Sequence, residues 1–217
     1  MKILVAAPHP DDEVLGCGGT IARLASEGHE IHLCIVTAAY EPEWSKHFVA
    51  DRPRQVKASC EVLGIKSHWL LGFPTVKLDT VPQKKLNAEI SKVFQAVKPD
   101  IFFIPHGGDC MKDHRLIYEA CLVAARPHIH RCEQILAYET LSETEWGLPS
   151  QPFLPNVYYD VTNFTDKKIA AFKVYESEVI AIPHPRNPDT IRALARKRGS
   201  EANMFHAEAF MLVRAAY

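Results

Sequence analysis

Near its amino terminus the chain reads Ile3-Leu4-Val5-Ala6-Ala7-Pro8-His9-Pro10-Asp11-Asp12-Glu13, followed two residues later by Gly16-Cys17-Gly18-Gly19. The apolar run predicts a buried strand over residues 2–7, and a histidine and several carboxylates crowd together where that strand ends. Such a density of charge is costly to bury unless it is paired or bound to a metal. The stretch therefore predicts a divalent-metal site, with zinc as the expected ion, whose third protein ligand comes from elsewhere in the chain.

The composition is that of one globular domain without a strong overall charge. The 217 residues are 47% hydrophobic and 24% charged, with a formal net charge of −1, so we expect one domain over residues 1–217. A net charge this close to zero does not draw nucleic acid or anionic lipid to the protein surface as a whole. We therefore expect ligand specificity to come from a local site. The basic residues between 192 and 198 fit a solvated helix face.

The cysteines and the hydropathy pattern predict a cytoplasmic protein. Six cysteines, at positions 17, 34, 60, 110, 121 and 132, form no C-x-x-C pair, and several lie in apolar runs. Reduced, buried thiols are therefore expected. No apolar stretch reaches the ~18–20 residues of a membrane-spanning helix, and the first apolar run is too short for a signal peptide.

Short apolar runs alternate with helical patterns along the first two thirds of the chain. This alternation predicts an α/β fold with a mainly parallel sheet flanked by helices. The predicted strands span residues 2–7, 30–37, 68–71, 101–104, 134–139, 157–161 and 207–214. The predicted helices span 16–27, 51–63 (with Pro53 in the first turn), 84–97, 115–125, 167–180 and 189–198. The C-terminal third does not alternate, and residues 146–155 predict an ordered excursion.

The third metal ligand is predicted at the end of the fourth strand. If the first and fourth strands are neighbours, their following loops open onto the same crevice, where α/β proteins bind ligands. His9, Asp12 and His114 then form the donor set of a catalytic zinc site, with a fourth position open for water. Zinc lowers the pKa of bound water to roughly 7, and Asp11 is placed to take its proton as general base. Asp113 is expected to orient the imidazole of His114.

Simpler interpretations of the same residues stay open at this point. His9 alone fits a core histidine, Asp11 and Asp12 fit caps of the following helix, and His114 alone fits a surface residue at a helix start. A nucleotide-binding module is a further alternative, because glycines after a first strand can open a phosphate-binding helix. The glycine spacing, however, fits neither G-x-G-x-x-G nor G-x-x-x-x-G-K-[ST].

The motif Pro8-His9-Pro10-Asp11-Asp12-Glu13 with Gly16-x-Gly18-Gly19 resembles the first motif of the PIG-L/LmbE family of zinc-dependent N-acetylglucosaminyl deacetylases. Asp113-His114-Arg115 resembles the end of the second motif. The resemblance implies a Rossmann-like fold and hydrolysis of an N-acyl group, usually acetyl, from an amino sugar. It implies His9, Asp12 and His114 as ligands and Asp11 as general base.

One departure from the family pattern concerns the residue that stabilises the oxyanion or protonates the leaving group. Many relatives have His-Pro-Asp-His in the second motif, and the first of these histidines stands at Met111 here. Either the zinc ion acts alone, or another residue takes the role, with His184 as the first candidate and His106 as the second. A loop histidine between two prolines is the simpler interpretation of His184.

The substrate is expected to be a small N-acetylated amino sugar or its conjugate. Arg52 and Asp109 are candidates for contacts to sugar hydroxyls, with surface or capping roles as the alternative. Three interpretations stay open for the aromatic residues Tyr40, Trp44, Trp146 and Phe153: a platform for a sugar ring, packing within the protein, and a subunit interface. The alternatives to a deacetylase are a metal-binding relative without catalysis and a nucleotide-binding module, and homo-oligomerisation stays open.

Overall fold

The fold is that of a computed structural model, which describes residues 1–217. The strands are β1 (Lys2–Ala7), β2 (Glu30–Ala38), β3 (Ser67–Pro74), β4 (Ile101–Pro105), β5 (Gln134–Tyr138), β6 (Val157–Asp160) and β7 (Ala207–Ala215). The helices are α1 (Asp12–Ser26), α2 (Lys46–Leu63), α3 (Gln83–Val97), α4 (Lys112–Ala124), α5 (Thr165–Lys173) and α6 (Pro188–Glu201). Two 3₁₀ turns lie at Leu78–Thr80 and Glu176–Glu178.

All seven strands belong to one sheet, in the order β3-β2-β1-β4-β5-β7-β6. The strands from β3 to β5 are parallel, and β7 runs antiparallel to β5 and β6. The predicted single α/β domain with a mainly parallel sheet and a non-alternating C-terminal third is confirmed. The strand order reverses between β1 and β4, which pair with each other. Such a reversal leaves a crevice beyond the carboxyl ends of the strands.

Both faces of the central strands are covered by helices. Ile3, Val5 and Ala7 of β1 point into one apolar cluster, whereas Leu4 and Ala6 point into the other. This alternation explains why β1 is apolar throughout, since a parallel strand buried on both faces has no solvated side for polar side chains. The end of β1 is thereby anchored within the core immediately before the charged residues begin.

Helix α1 begins at Asp12, four residues earlier than the predicted start at Gly16. The glycines therefore lie inside the helix and serve close packing. A Cβ atom added to Gly16 would come within 2.2 Å of the Tyr138 ring. The helix is kinked at Cys17, where φ is −142° and ψ is 21°. The glycine-rich loop that the nucleotide-binding alternative would require is consequently absent, because the carboxylate motif runs directly into a helix.

Three other predicted helix limits are corrected. Helix α2 begins at Lys46 instead of residue 51, because the Ser45 side chain caps it by accepting from Phe48 N at 3.2 Å. Pro53 therefore lies inside the helix, where it lacks one backbone donor. Helix α4 begins at Lys112, three residues early, so that the second motif lies in its first turn. Helix α5 ends at Lys173 and not near residue 180.

The segment between β5 and β6 contains no helix or strand, in agreement with the excursion predicted at residues 146–155. All six cysteines are free, and five of them are buried, with Cys110 exposed. No helix in the structure is both long enough and apolar enough to cross a bilayer.

Candidate metal centre and active site

The candidate site lies where β1 and β4 end side by side. After β1 the chain turns through Pro8, whose carbonyl accepts hydrogen bonds from Thr37 N at 3.0 Å and Thr37 Oγ1 at 2.8 Å. This contact ties the turn to the end of β2. After β4 the chain passes through a loop and enters α4, with His114 in its first turn. The pairing of β1 with β4, predicted from the sequence, brings the two loops together.

Three donor atoms converge at this point. Asp12 Oδ2 lies 3.1 Å from His9 Nδ1 and 3.3 Å from His114 Nε2. One ligand atom from each of the three residues lies within 4.8 Å of the others. His114 Nε2 is buried and has no hydrogen-bond partner within the protein. The cluster thus offers two imidazoles and one carboxylate, and one of the imidazole nitrogens makes no hydrogen bond. Such a donor set fits a divalent cation such as zinc.

A second carboxylate orients each of the two imidazoles. Asp109 Oδ2 lies 2.8 Å from His114 Nδ1, and Asp113 Oδ2 lies 3.2 Å from His9 Nε2. A carboxylate on one ring nitrogen leaves the other nitrogen free for a metal. The expectation that Asp113 orients His114 is thus corrected, because Asp109 occupies that position and Asp113 contacts His9 instead.

The position of Asp109 also bears on its expected role as a sugar ligand. Its side chain is fully buried, and its Oδ1 accepts a hydrogen bond from Thr144 Oγ1 at 2.6 Å. Both carboxylate oxygens are therefore engaged within the protein, and Asp109 does not line the cavity. The structure does not bring Asp109 to a place where it can contact a sugar hydroxyl.

The charges of the cluster are mutually stabilising. Burial alone raises the pKa of Asp12, but the neighbouring His114 and His9 outweigh burial and hold that pKa well below its usual range. Burial lowers the pKa of His9, yet its hydrogen bonds to Asp113 and Asp12 outweigh this and raise the pKa to about 9. Without a metal the imidazoles thus hold protons that a bound cation must displace.

Asp11 faces the cavity from a strained backbone. Its φ of 118° is unusual for any residue except glycine, and its backbone N donates to Glu13 Oε2 at 3.0 Å. Glu13 is fully buried, and its Oε1 accepts from Tyr175 Oη at 2.7 Å. Burial and the adjacent Asp12 raise the pKa of Asp11 well above its ordinary value. Asp11 is consequently held as a separate carboxylate beside the cluster.

A cavity of about 370 Å³ opens beside these residues and is lined by His9, Asp11 and Asp12. Five non-glycine residues of the chain have a positive φ. Three of them, Asp11, Val76 and Ser142, line this cavity. Strained backbone of this kind concentrates at functional sites, where the surrounding structure maintains it.

The two histidines proposed to replace Met111 do not reach the cavity. His184 Nδ1 accepts from Arg186 N at 3.1 Å, and its ring packs edge-on against Trp146. His106 Nε2 lies 2.9 Å from Gln151 O. Neither residue is part of the cavity lining, whereas Met111 itself is. The structure therefore provides no histidine at the position that Met111 occupies.

Two arginines lie on the cavity wall near Asp11. Arg186 Nη1 is 3.5 Å from Asp11 Oδ2 and 2.9 Å from Glu178 Oε2. Arg52, predicted to contact the substrate, lines the cavity and pairs with Glu178, and its guanidinium stacks over the Phe48 ring at 4.0 Å. Glu178 thus holds two guanidinium groups together on the wall of the cavity.

Sequence reasoning missed three residues of the site. Glu13 is part of the first motif, but nothing in the sequence indicates that it is fully buried and contacts the backbone of Asp11. Arg186 lies two residues after His184, and its proximity to Asp11 is not evident from the sequence. Glu143 is buried on the cavity wall, where its Oε2 accepts from Met111 N at 3.1 Å. Neither Arg186 nor Glu143 lies in a recognisable motif, because both come from irregular segments after β5.

Comparisons with known proteins agree with this geometry. The sequence profile named PIG-L, described as GlcNAc-PI de-N-acetylase, matches residues 4–125. The chain is 31% identical over 184 residues to the uncharacterized deacetylase YaiS of Escherichia coli (strain K12), covering 81% of this chain and 90% of that protein. It is 29% identical over 191 residues to diacetylchitobiose deacetylase of Thermococcus kodakarensis, covering 82% and 70%. The crystal structure of a conserved protein from Thermus thermophilus superposes with a TM-score of 0.80 at 26% identity, covering 99% of this chain and 96% of that one.

Proposed function

The chain belongs to the PIG-L family, and we propose that it is a zinc-dependent deacetylase that removes the N-acetyl group from an amino sugar or its conjugate. The observation that carries the proposal is the cluster of His9, Asp12 and His114, with an unpartnered buried nitrogen, beside the proton-accepting carboxylate of Asp11. A relative described as diacetylchitobiose deacetylase supports an N-acetylated sugar as the substrate class.

In this proposal His9 Nδ1, Asp12 Oδ2 and His114 Nε2 hold the ion. A bound zinc ion would lower the pKa of a water molecule and polarise the acyl oxygen of the substrate. Asp109 and Asp113 keep the two imidazoles in the tautomers that present these nitrogens. Because both orienting carboxylates are buried, the ligand set is rigid before the ion binds.

Asp11 acts as the general base and then as the general acid. Its carboxylate takes the proton of the attacking water and later delivers a proton to the amine nitrogen as the C–N bond breaks. Burial and the adjacent Asp12 raise the pKa of Asp11, which strengthens this carboxylate as a proton acceptor. Glu13 and Tyr175 hold its backbone, while Arg186 offsets the negative charge near Asp11 Oδ2.

The family histidine replaced by Met111 has no equivalent on the cavity wall. We therefore propose that Arg186 and not His184 is the protein residue that stabilises charge beside the reacting amide. Arg52 remains the proposed substrate contact, since this residue lines the same cavity. The six free cysteines, five of them buried, support a reducing compartment and thus the cytoplasm.

The proposed function is tested by amine and acetate release from N-acetylglucosamine in free, nucleotide-linked and thiol-linked form. We expect release by the zinc-loaded protein, loss after chelation, and recovery when zinc is returned. Binding of a nucleotide by the chelated protein, with no release from any compound, would favour the nucleotide-binding alternative.

The role of Asp11 is tested with Asp11→Asn, because asparagine has the same shape and tolerates a positive φ. The variant is expected to keep its zinc content and to lose about 10²- to 10⁴-fold in kcat. Arg54→Gln, which changes an exposed arginine of α2 outside the cavity, is the matched control. Full activity of Asp11→Asn would contradict the mechanism.

A further inference from the structure

Glu143 is a carboxylate on the cavity wall that the proposed mechanism does not use. Four carboxylates line the cavity, and three of them have cationic partners. Asp11 and Glu178 lie beside arginines, and Asp12 lies beside two imidazoles. Glu143 forms no ion pair, although the residue is only 7% exposed. A buried carboxylate without a cation is costly unless hydrogen bonds or a ligand complete its site.

The two carboxylate oxygens of Glu143 have different surroundings. Oε2 accepts hydrogen bonds from Met111 N at 3.1 Å and from Cys110 Sγ at 3.0 Å. Oε1 makes no hydrogen bond within the protein and is accessible to solvent, whereas the unpartnered His114 Nε2 is buried. One oxygen thus fixes the side chain, and the other can accept a hydrogen bond from a molecule bound in the cavity.

The segment that carries Glu143 is anchored to the proposed metal centre. The next residue, Thr144, donates from Oγ1 to Asp109 Oδ1 at 2.6 Å, and the other oxygen of Asp109 lies 2.8 Å from His114 Nδ1. The backbone O of Glu143 accepts from Cys110 N at 3.2 Å, in the loop that leads to His114. Short chains of hydrogen bonds therefore fix the position of Glu143 relative to a proposed zinc ligand.

Ser142, the preceding residue, supplies a second polar group. It lines the cavity with a φ of 73°, and its backbone N donates to Glu145 Oε1 at 2.7 Å. Its hydroxyl makes no hydrogen bond within the protein and is accessible to solvent. A hydroxyl that donates and accepts, next to a carboxylate that accepts, suits a ligand with hydroxyl groups of its own. Strained backbone maintained at such a place is typical of a functional site.

We propose that Glu143 Oε1, together with the hydroxyl of Ser142, binds a ring hydroxyl of the amino sugar and selects the substrate by that group. The inference rests on the proposed deacetylase function for the presence of the sugar. It assigns the hydroxyl contact to Glu143 and not to Asp109, whose two oxygens are engaged within the protein. A sugar hydroxyl would give the buried carboxylate the partner that the protein does not provide. A substrate without that hydroxyl would leave Oε1 desolvated and unpaired.

The size of the effect follows from the charge of the acceptor. A hydrogen bond to a charged group contributes more than one between neutral groups, and its loss lowers affinity about 10- to 100-fold. A neutral hydrogen bond to the Ser142 hydroxyl contributes about 2- to 10-fold. The carboxylate is therefore expected to dominate the selection.

The bound hydroxyl is identified with N-acetylglucosamine and its monodeoxy derivatives, each of which lacks the hydroxyl on carbon one, three, four or six. The zinc-loaded protein is assayed for amine release. We expect kcat/KM to fall about 10- to 100-fold for at least one derivative, which identifies the hydroxyl. Equal kcat/KM values for the parent sugar and all derivatives, with measurable amine release, would overturn the proposal and leave the deacetylase function intact.

Glu143→Gln is the most informative variant, because glutamine keeps the shape and can still accept from Met111 N, while its amide nitrogen takes the place of Oε1 and cannot accept. The kcat/KM for N-acetylglucosamine is expected to fall about 10- to 100-fold, and that for the affected derivative is expected to stay nearly unchanged. Glu61→Gln, at an exposed residue of α2 outside the cavity, is the matched control and should change neither value. An equal fall for the parent sugar and all derivatives in Glu143→Gln would indicate a structural role only and would contradict the proposal.

Ser142→Gly tests the second polar group, since glycine suits a φ of 73° and removes the hydroxyl. We expect kcat/KM for N-acetylglucosamine to fall about 2- to 10-fold, with a smaller fall for the affected derivative. Asn203→Gly is the matched control, because Asn203 has a φ of 56° and lies outside the cavity. The same change in both variants would contradict the assignment of Ser142.

A binding measurement tests the proposal even if no sugar is hydrolysed. Calorimetry on the zinc-loaded protein gives the dissociation constants of N-acetylglucosamine, its monodeoxy derivatives and glucosamine. We expect Glu143→Gln to weaken the binding of N-acetylglucosamine and glucosamine about equally, because both sugars carry the same hydroxyl groups. A selective weakening of glucosamine would show that Glu143 pairs with an amine, and equal constants for all derivatives would show that it binds no hydroxyl. Either result overturns the proposal, and the absence of both binding and release for every sugar would overturn the deacetylase function with it.

Discussion

Helix α1 connects two buried groups of charges that differ in one respect. The metal cluster, consisting of His9, Asp12 and His114, lies at the start of the helix. The closed cluster, consisting of Lys168 and Glu208, lies behind the kink at Cys17. Both are almost completely buried, and each contains charges of opposite sign. They differ in whether the protein alone provides every polar atom with a partner.

In the closed cluster every charged atom has a partner within the protein. Lys168 Nζ donates to Glu208 Oε1 at 2.6 Å and to Leu15 O at 2.8 Å. Glu208 Oε1 and Oε2 accept from Gly19 N at 2.9 Å and Thr20 N at 2.7 Å, which are backbone donors released by the kink. Such a closed arrangement is structural, because each charged atom already has a partner of its own within the protein.

In the metal cluster one ring nitrogen makes no hydrogen bond within the protein. His114 Nε2 is buried and makes no hydrogen bond of acceptable geometry, since its contact with Asp12 Oδ2 at 3.3 Å is an ion pair only, whereas its other nitrogen is hydrogen-bonded to Asp109. An unpartnered buried nitrogen costs free energy, and a fold retains it where a ligand completes the site. The comparison teaches that buried charge alone does not indicate function, whereas three converging donors, one of them without a hydrogen bond, fit a ligand site.

The largest effect is expected from removing a metal ligand. Asp12→Ala should abolish zinc binding and reduce turnover below detection, because two imidazoles alone hold zinc weakly. Metal analysis of the purified protein and acetate release measure the two effects. A variant that keeps zinc at the wild-type level would show that Asp12 does not hold the ion.

The corresponding change in the closed cluster should affect stability. Lys168→Met leaves Glu208 buried without its cation and is expected to lower the free energy of unfolding by about 3–5 kcal/mol. Zinc content per folded molecule should not change. Urea unfolding measures the loss, and Lys197→Met, at an exposed lysine paired with Glu201, is the control with an expected loss of at most about 1 kcal/mol. Loss of zinc in Lys168→Met would remove the distinction between the two clusters.

A smaller effect is expected from the carboxylate that orients His114. Asp109→Asn can keep a hydrogen bond to Nδ1 but withdraws the negative charge, so zinc affinity is expected to fall about 10- to 100-fold. Competition with a fluorescent chelator measures this affinity. An affinity equal to that of the wild type would show that Asp109 has no part in the metal centre.

The smallest expected effect is the pH dependence of the stability of the metal-free protein and of its zinc affinity. In the metal-free protein the pKa of His9 is raised to about 9 by Asp113 and Asp12, against the opposing effect of burial. His9 therefore stabilises the metal-free fold at pH values below its ordinary pKa of about 6.5, and this contribution is lost as the pH rises towards 9.

Zinc must displace the His9 proton over this range, so its apparent affinity is expected to rise about tenfold per pH unit for each proton displaced. Calorimetry in buffers of different ionisation enthalpy counts the protons released. An affinity that is independent of pH between about 6.5 and about 8.5 would contradict the assignment of His9 as a ligand.

The sequence allowed the sheet and the proposed ligands to be predicted, because both depend on patterns within short segments. Strand β1 is apolar throughout, His9 and Asp12 follow it directly, and the apolar run of β4 leads to His114. Only one long-range assumption was needed, the pairing of β1 with β4, and the usual strand order of such folds suggested it.

The roles of the neighbouring carboxylates could not be predicted in the same way. Because α4 begins at Lys112, Asp113 lies in its first turn and meets Val76 N and Leu78 N from the segment after β3. Asp109 is left to contact His114. Arg186 reaches Asp11 from a segment without regular structure, where no periodic pattern predicts the direction of a side chain.

The pairing of β1 with β4 has a consequence for folding. Since His9 and His114 stand almost half the chain apart, a bound ion would close a long loop, which is the situation in which a cross-link restricts the unfolded chain most. The unfolded chain offers no preformed site, so zinc binding would add its free energy to that of folding. Zinc would then cross-link the segments that follow β1 and β4, and zinc uptake during refolding would indicate that these two strands had paired.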